Sequence, residues 1–238
     1  MIAEALRARL DHVAVAVGDL DDALAYWSDA VGAGVVARET NEGFHIAQVR
    51  TPGGGKLELI APPPDGGNGG FVTGFLARHG PTIHHVTLKV ADLGAAIDTV
   101  RAGGYDVVDV QNTSPWWREG FLRPSQVGGL IVQVAWTSED DRSWARRIGT
   151  AATAPASGAP RLLGPTLEHP DLSAAHTLWS LLGADIEDGD DRFVCRWPDS
   201  TLDVVVRRGE RARAVSLRFE GVLVSAPDGF GMPPLDVR

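Results

Sequence analysis

The fold of this chain is decided by the stretch HHVTLKVADL at residues 84–93. From His85 onward it repeats HVAVAVGDL, residues 12–20, at a constant offset of 73 residues. Each copy opens on a histidine, alternates as a β-strand does, and runs through Asp-Leu into an Ala-rich segment with helical spacing. A repeat at a fixed offset indicates duplicated structural units. Two copies with a histidine at the same strand position predict a site shared between them.

Each copy is the start of a predicted βαβββ module. In the first module, Asp19 supplies the N-cap of a helix at residues 20–30, and Gly32 and Gly34 end that helix. In the second, a helix is predicted at 94–102 and an aromatic loop, SPWWRE, at 114–119. Strands are predicted at 12–17, 35–38, 44–50 and 56–61, and again at 84–90, 106–111, 120–123 and 129–135. A short helix is expected between the modules, at 71–79.

The second half of the chain carries a degenerate third copy and the start of a fourth. Residues 171–179, DLSAAHTLW, repeat residues 19–27 at an offset of 152, but Gly164 stands where the histidine belongs. A fourth copy begins at 214–219 with Ala214 in the histidine position and no helix. We therefore predict no metal site in this half, which would instead pack on the first domain or form a dimer contact. The domains are predicted as a two-module unit at 8–136, a helix (138–148) and linker at 137–160, and a degenerate unit at 161–238.

Composition and charge exclude several classes of function. Hydrophobic residues make up 44% of the chain and charged residues 22%, as in soluble globular proteins. The formal charge of −9 argues against a nucleic-acid-binding surface. There is no apolar run of about 18 residues that would span a membrane, and the first residues lack the pattern of a signal peptide. A single cysteine, Cys195, fits a reducing compartment, so we expect a cytoplasmic protein without nucleic-acid or membrane partners.

The paired modules are similar to those of the vicinal oxygen chelate superfamily. Its members include glyoxalases, methylmalonyl-CoA epimerases, extradiol dioxygenases and bleomycin- and fosfomycin-resistance proteins, and this chain most resembles the epimerase branch. The resemblance is carried by LDHVA at 10–14, KLELIAP at 56–62, IHHV at 83–86, FLRP at 121–124 and GGLIVQV at 128–134. It covers residues 8–136 well and 161–220 weakly. It implies an α+β fold in which the paired βαβββ modules form an open, cup-shaped sheet.

The resemblance also implies a metal site. Its ligands would come from the first and last strand of each module, which here are His12 and Glu58, then His85 and Gln133. Side chains two residues apart share a strand face, so each ligand can point inward while its neighbours pack outward. Imidazole and carboxylate ligands suit Zn, Mn, Co, Ni or Fe(II), and open positions would remain for substrate oxygens. We therefore expect a divalent metal ion as cofactor.

Gln133 departs from the pattern of the superfamily. Relatives usually carry Glu there, where it is both a ligand and a proposed base, whereas an amide can coordinate a metal but cannot accept a proton. Two-base epimerisation and extradiol oxygenation are thereby put in doubt. Glu58, Glu119 or Glu42 remain as candidates for a single base in enolisation. Substrate contacts are expected from Trp116, Trp117 and Arg118, an aromatic wall with one guanidinium that suits a flat or acyl substrate bearing a carboxylate.

Two function classes follow from these residues. The first is a metal-dependent isomerase or lyase of the glyoxalase/epimerase type, which acts by enolisation on a small oxygenated or acyl substrate. The second is a protein of the bleomycin-resistance type that binds a small molecule without turnover. The retained His12, Glu58 and His85 favour the enzyme, and Gln133 with the degenerate second half favours the binding protein. A homodimer is compatible with either class.

Overall fold

A computed structural model of the chain describes residues 6–63, 70–140, 143, 146, 157–221 and 232–238. Most of the predicted helix at 138–148 and of the linker up to residue 160 lies outside these residues.

The first module has the predicted βαβββ order. Its strands are β1 (Arg9–Ala16), β2 (Gly34–Thr40), β3 (His45–Arg50) and β4 (Lys56–Ala61). Helix α1 (Leu20–Ala25) starts at Asp19, whose side chain accepts a hydrogen bond from the Asp22 N–H, and it continues as a π-helical turn at Tyr26–Ala30. The buried side of this helix carries Leu20, Ala23 and Trp27.

The second module repeats this order after helix α2 (Phe71–His79). It consists of β5 (Thr82–Lys89), α3 (Leu93–Ala102), β6 (Val107–Gln111), β7 (Trp117–Leu122) and β8 (Ile131–Thr137). The Asp92 side chain caps α3 by accepting from the Ala95 N–H, as Asp19 does in the first module. β7 begins at Trp117, so half of the predicted aromatic loop at 114–119 is strand.

The degenerate half also retains the order of a module. Its elements are β9 (Arg161–His169), α4 (Leu172–Leu181), β10 (Asp185–Asp188), β11 (Arg192–Arg196), β12 (Val204–Arg208), β13 (Arg213–Glu220) and β14 (Leu235–Val237). The Asp171 side chain caps α4 by accepting from the backbone N–H groups of Ser173 and Ala174. The longest described helices, α3 and α4, have ten residues each, and within the described chain no helix is long and apolar enough to cross a membrane.

The strands form two mixed sheets. The first has eight strands in the order β2-β3-β4-β1-β5-β8-β7-β6, and the second has six in the order β10-β11-β12-β9-β13-β14. In each module the first strand pairs in parallel with the last strand, β1 with β4 and β5 with β8. This arrangement confirms the predicted α+β fold of paired βαβββ modules with a degenerate third and a truncated fourth module.

Contacts divide the chain into two compact units, each of which combines a module of the first half with a segment of the second half. One unit contains His85–Glu139 and Gly164–Val215, and the other contains Val13–His84 and Ser216–Arg238. Within the former, α3 is followed by its C-cap residue Gly103, where an added Cβ would overlap the Leu181 side chain of α4. Within the latter, the indole of Trp27 stacks on Phe219 with ring centroids 5.5 Å apart. The predicted packing of residues 161–238 is thus seen in both units, while the predicted domain boundaries stay a prediction.

Candidate metal centre

Three predicted ligands converge. The candidate ligand atoms of His12, Glu58 and His85 all lie within 4.8 Å of one another, and all three residues are buried. Each belongs to a different strand: β1, β4 and β5. Strand alternation turns these side chains away from the side of their neighbours Leu57, Leu59 and Val86, which are fully buried in the hydrophobic core.

His12 is oriented by a carboxylate. Its Nδ1 lies 2.8 Å from Asp11 Oδ2, and Asp11 in turn forms an ion pair with Lys89 at 3.1 Å and a longer one with Arg9 at 3.6 Å. A carboxylate on one imidazole nitrogen fixes the ring and its tautomer, which leaves the other nitrogen for a metal ion. That nitrogen, Nε2, lies 2.9 Å from the Thr87 hydroxyl oxygen.

Glu58 is held by its neighbour on the next strand. Gln48 of β3 is its Cα partner in the ladder, and the Gln48 amide donates to Glu58 Oε2 at 2.9 Å. This hydrogen bond orients the carboxylate, as the Asp11 carboxylate orients His12. A ligand that is itself hydrogen-bonded is the usual arrangement in protein metal sites.

Gln133 is connected to His12 through the Thr87 hydroxyl and has two hydrogen-bond partners of its own. It is the Cα partner of Thr87 on β5, whose hydroxyl donates to Gln133 Oε1 at 2.5 Å. Its Nε2 donates to Glu119 Oε2 at 2.7 Å. The amide therefore connects the hydroxyl next to His12 with a carboxylate on β7.

Glu119 is the carboxylate that the second module presents beside Gln133. Its Oε2 accepts from Gln133 Nε2 and also from the indole N–H of Trp117 at 2.6 Å. Strand alternation explains the arrangement, because Trp117 and Glu119 are two residues apart on β7 and share a face. The Glu119 side chain is half-buried.

The three predicted substrate-contact residues do not lie together. Trp117 shares the face of Glu119, and the Lys89 ammonium lies 5.7 Å from the centroid of its ring. Arg118 alternates to the opposite face, where its guanidinium stacks at 4.6 Å on Trp136 and its Nε donates to the Ser114 carbonyl oxygen. Trp116 precedes the strand and is 55% exposed. Neighbouring residues on a strand point to opposite faces, so these side chains are separated although they are adjacent in sequence. Their role in binding substrate stays a prediction.

His84 faces away from the ligands, as expected for a residue next to His85 on a strand. It packs against Phe71 and Phe75 of α2, with ring centroids 5.6 and 4.6 Å away. Burial, together with the nearby His79, lowers the pKa of His84 to about 4. The imidazole is therefore neutral at physiological pH and serves as part of an aromatic cluster.

Sequence reasoning did not single out Asp11, Thr87 and Gln48 as supporting residues. Asp11 directly precedes a ligand, Thr87 is two residues after one, and Gln48 lies opposite one in the β3–β4 ladder. Thr87 is opposite Gln133, and Gln48 is opposite Glu58, only because of the pairing register of their strands. That register is a property of the folded sheet and is not visible in the sequence. A polar residue at a position that alternation turns inward is the one signal that could have indicated them.

The residues at this site fit a divalent metal ion. Two imidazoles and a carboxylate are the donor set that Zn, Mn, Co, Ni and Fe(II) prefer. Two donor atoms that each lie about 2 Å from one ion are at most about 4 Å apart, so these ligand atoms, which lie within 4.8 Å of one another, share an ion after small side-chain movements. A carboxylate on His12 Nδ1 and an amide on Glu58 supply the outer hydrogen bonds that such sites have.

The comparisons with known proteins agree with this fold. Residues 11–121 match the Glyoxalase/Bleomycin resistance protein/Dioxygenase superfamily. Over 133 residues, 53% of this chain and 96% of the relative, the sequence is 36% identical to the ethylmalonyl-CoA/methylmalonyl-CoA epimerase of Cereibacter sphaeroides. The chain therefore belongs to this superfamily, also called the vicinal oxygen chelate superfamily.

Two further similarities cover different parts of the chain. The mitochondrial methylmalonyl-CoA epimerase of Mus musculus is 31% identical over 133 residues, 53% of this chain and 71% of that protein. The crystal structure of a hypothetical protein from Staphylococcus aureus aligns with 97% of this chain and 100% of its own, with a TM-score of 0.66 and 11% identity. The last similarity concerns the fold alone, and it includes the degenerate half.

Proposed function

We propose that the protein is a divalent-metal-dependent enzyme that enolises a small oxygenated or acyl substrate, as an isomerase or lyase does. The observation that carries the proposal is the buried cluster of His12, Glu58 and His85, whose ligand atoms lie within 4.8 Å of one another. The similarity to proteins named ethylmalonyl-CoA/methylmalonyl-CoA epimerase makes acyl thioesters with an acidic α-carbon the first substrates to test.

The metal ion would act as a Lewis acid that stabilises negative charge on substrate oxygens. His12, Glu58 and His85 would hold it, and the second lone pair of Gln133 Oε1 leaves that amide oxygen available as a fourth ligand. Asp11 and Gln48 keep the first two ligands oriented. Because the three ligand side chains are buried, the site excludes most water, and electrostatic interactions within it are strengthened.

Glu119 is the residue to which we assign proton transfer. Its carboxylate takes the proton from the carbon next to the substrate carbonyl, the C–H electron pair becomes the C=C bond, and the carbonyl electrons move to oxygen as the enolate forms. Glu119 then returns the proton, or a leaving group departs in a lyase reaction. Glu58, the other predicted base, is the less suitable one, because a carboxylate that serves as a metal ligand is a weak proton acceptor.

Metal binding is the first test. Purified protein is analysed for bound metal and titrated with Zn²⁺ and Co²⁺ by calorimetry, alongside the variants His85→Ala and His176→Ala. We expect one ion per chain in the wild type, its loss in His85→Ala, and no change in His176→Ala, whose histidine lies on α4 in the degenerate half. If the wild type binds no divalent metal, the enzyme proposal is wrong, and a protein that binds a small molecule without turnover becomes the better reading.

Proton transfer is the second test. Exchange of the α-proton of methylmalonyl-CoA, ethylmalonyl-CoA and simple 2-substituted acyl thioesters is followed by NMR in D₂O with the metal-loaded protein. We expect exchange with at least one substrate and a loss of about 10²-fold or more in Glu119→Gln, the scale of general-base catalysis. Undiminished exchange in Glu119→Gln would contradict the assignment of Glu119 as the base and indicate that another carboxylate takes the proton. The cytoplasmic location and a homodimer stay predictions of the sequence.

A further inference from the structure

We propose that Thr87 and Gln133 are positioning residues that make the orientation of Glu119 depend on metal occupancy at His12. The inference rests on the proposed function, because it takes His12 to be a metal ligand and Glu119 to be the base. It concerns how the two are connected, and it assigns Thr87 a role that neither the repeat nor the superfamily similarity indicates.

A hydrogen-bond path connects His12 to Glu119 through Thr87 and Gln133. The Thr87 hydroxyl oxygen lies 2.9 Å from His12 Nε2 and 2.5 Å from Gln133 Oε1. The other end of the same amide donates from Nε2 to Glu119 at 2.7 Å. Thr87 is fully buried and Gln133 is 6% exposed, so water has little access to this path. A continuous path of three hydrogen bonds therefore links the ligand nitrogen to the carboxylate.

The two carboxylates at the ends of this path, Asp11 and Glu119, fix the donor and acceptor roles along it. Glu119 is an acceptor when ionised, which fixes the amide with its NH₂ group toward Glu119 and its oxygen toward Thr87. Asp11 is likewise an acceptor, so His12 Nδ1 carries the hydrogen and Nε2 carries the lone pair. Both Nε2 and Gln133 Oε1 are then acceptors that face one hydroxyl.

The number of hydrogens on the Thr87 hydroxyl limits how many of its neighbours can receive a hydrogen bond. Thr87 has a single hydroxyl hydrogen, and the two acceptors compete for it. A metal ion on Nε2 takes up that lone pair, so the hydroxyl hydrogen is committed to Gln133 Oε1. The committed hydrogen bond holds the amide, and the amide holds Glu119. Without the metal, the hydrogen is divided between the two acceptors and Glu119 is held less firmly.

The Trp117 indole supplies a reporter at the far end of the path. Its N–H donates to the same Glu119 oxygen that Gln133 contacts, at 2.6 Å. A change in the position of Glu119 therefore changes the hydrogen bond of this N–H, which NMR detects as a chemical shift. The chain contains seven tryptophans, and Trp117→Phe identifies the signal by its loss.

The experiment is a Zn²⁺ titration of ¹⁵N-tryptophan-labelled protein, with Zn²⁺ chosen because it is diamagnetic. We expect the Trp117 indole signal to shift on Zn²⁺ saturation in the wild type and in Thr87→Ser, which keeps the hydroxyl. In Thr87→Val, calorimetry should show Zn²⁺ binding within about tenfold of wild type, while the shift of the Trp117 signal falls below half. Thr87→Ala serves the same purpose if the valine variant does not fold.

A second path tests the assignment to Thr87. Lys89 connects Asp11 to the Trp117 ring, through an ion pair at 3.1 Å and a cation–π contact at 5.7 Å. Lys89→Met should keep most of the metal-dependent shift. A full shift in both Thr87→Val and Thr87→Ala would overturn the proposal, as would Zn²⁺ binding in the wild type without any shift.

The outcomes separate this inference from the proposed function. Zn²⁺ binding and a Thr87-dependent shift, without α-proton exchange on any substrate, would leave the coupling in place and remove the enzyme proposal. Zn²⁺ binding and α-proton exchange without the shift would remove only the coupling. Absence of Zn²⁺ binding in the wild type would overturn both.

Discussion

Gln133 carries an amide where the resemblance to epimerases implies a carboxylate. The structure gives this amide two partners, Thr87 and Glu119, so the carboxylate of the second module comes from β7 rather than β8. The donor and acceptor ends of the amide are both used, which a carboxylate at the same position could not reproduce because it lacks the donor. Glutamine at position 133 is therefore suited to Glu119, because its amide donates a hydrogen bond to that carboxylate.

Gln133→Glu would place two carboxylates in contact, where Gln133 Nε2 now donates to Glu119 Oε2 at 2.7 Å. A cation in the site relieves their repulsion, so we expect divalent-metal affinity to rise by about tenfold or more. We do not expect strong methylmalonyl-CoA epimerase activity, because the added negative charge weakens enolate stabilisation and disturbs Glu119. Calorimetry and an epimerase assay check both points, with Asn41→Asp, an exposed site between β2 and β3, as the charge control. Epimerisation far above wild type would restore the two-base mechanism.

Asp11→Asn removes the carboxylate that orients His12 but preserves its size. The amide cannot fix the imidazole tautomer as the carboxylate does, and Lys89 loses its ionic partner. We expect metal affinity to fall by about 10–100-fold, the usual effect of losing such a partner. Calorimetric Zn²⁺ titration measures the change, and Asp21→Asn on the exposed side of α1 is the control. Unchanged affinity would show that Asp11 has no part in orienting the ligand.

At the residue scale, the convergence of His12, Glu58 and His85 was predictable because the resemblance to the superfamily implies these ligand positions, and the repeat and strand alternation agree with it. Thr87 and Asp11 were not predictable in the same way, since a threonine and an aspartate next to a ligand are unremarkable in a single sequence. Trp116, Trp117 and Arg118 are adjacent in sequence, but strand alternation turns Arg118 toward Trp136; their contact with substrate stays a prediction.

At the scale of elements, the helices followed their capping residues closely. Asp19, Asp92 and Asp171 each accept a backbone N–H hydrogen bond in the first turn of a helix, as the Asp-Leu pattern indicates. β7 was less predictable, because Trp117, Arg118 and Glu119 read as a polar aromatic loop. Their strand conformation depends on pairing with β8, where Trp117 is opposite Thr137 and Glu119 is opposite Ala135.

The packing of α2 against β5 predicts a pH dependence of stability. The pKa of His84 is lowered to about 4 by burial and by His79, from about 6.5 in the unfolded chain. The folded form disfavours the charged imidazole. The contribution of neutral His84 to the free energy of unfolding is therefore fully present above pH 6.5 and decreases as the pH falls toward 4. The loss should approach about 3 kcal/mol at the acid end.

Urea unfolding of metal-free protein between pH 7 and pH 4 measures this loss, with His84→Leu as the comparison. The leucine variant should lose less stability than wild type over the same range, because it has no group to protonate at this position. His176→Leu, on the partly exposed face of α4, is the matched control. Identical pH profiles for wild type and His84→Leu would contradict the assignment to His84.

At the scale of the whole molecule, the two halves differ at the position equivalent to His12 and His85, where the third module has Gly164. Its φ is +128°, and an added Cβ would overlap the backbone carbonyl oxygen of Asp203. The backbone here has adopted a conformation that side chains other than glycine avoid. The sequence indicated that this position offers no ligand, but its backbone conformation is visible only in the fold.

Gly164→Ala should therefore lower the free energy of unfolding by about 2–4 kcal/mol, and Gly164→His should not create a metal site. Gly34→Ala is the control, because an added Cβ there meets no atom within 4 Å, and its effect should stay within about 0.5 kcal/mol. Urea unfolding and Zn²⁺ titration measure the two effects. A Gly164→Ala variant as stable as wild type would show that the backbone at this position adjusts freely.

The stacking of Trp27 on Phe219 has a consequence during protein synthesis. Phe219 leaves the ribosome 192 residues after Trp27, since 219 − 27 = 192. At translation rates of about 5–20 residues per second, Trp27 is without this partner for roughly 10–40 s. The nascent first module therefore exposes, during that time, the face of the Trp27 indole that Phe219 later covers, and transiently exposed apolar surface of this kind favours aggregation.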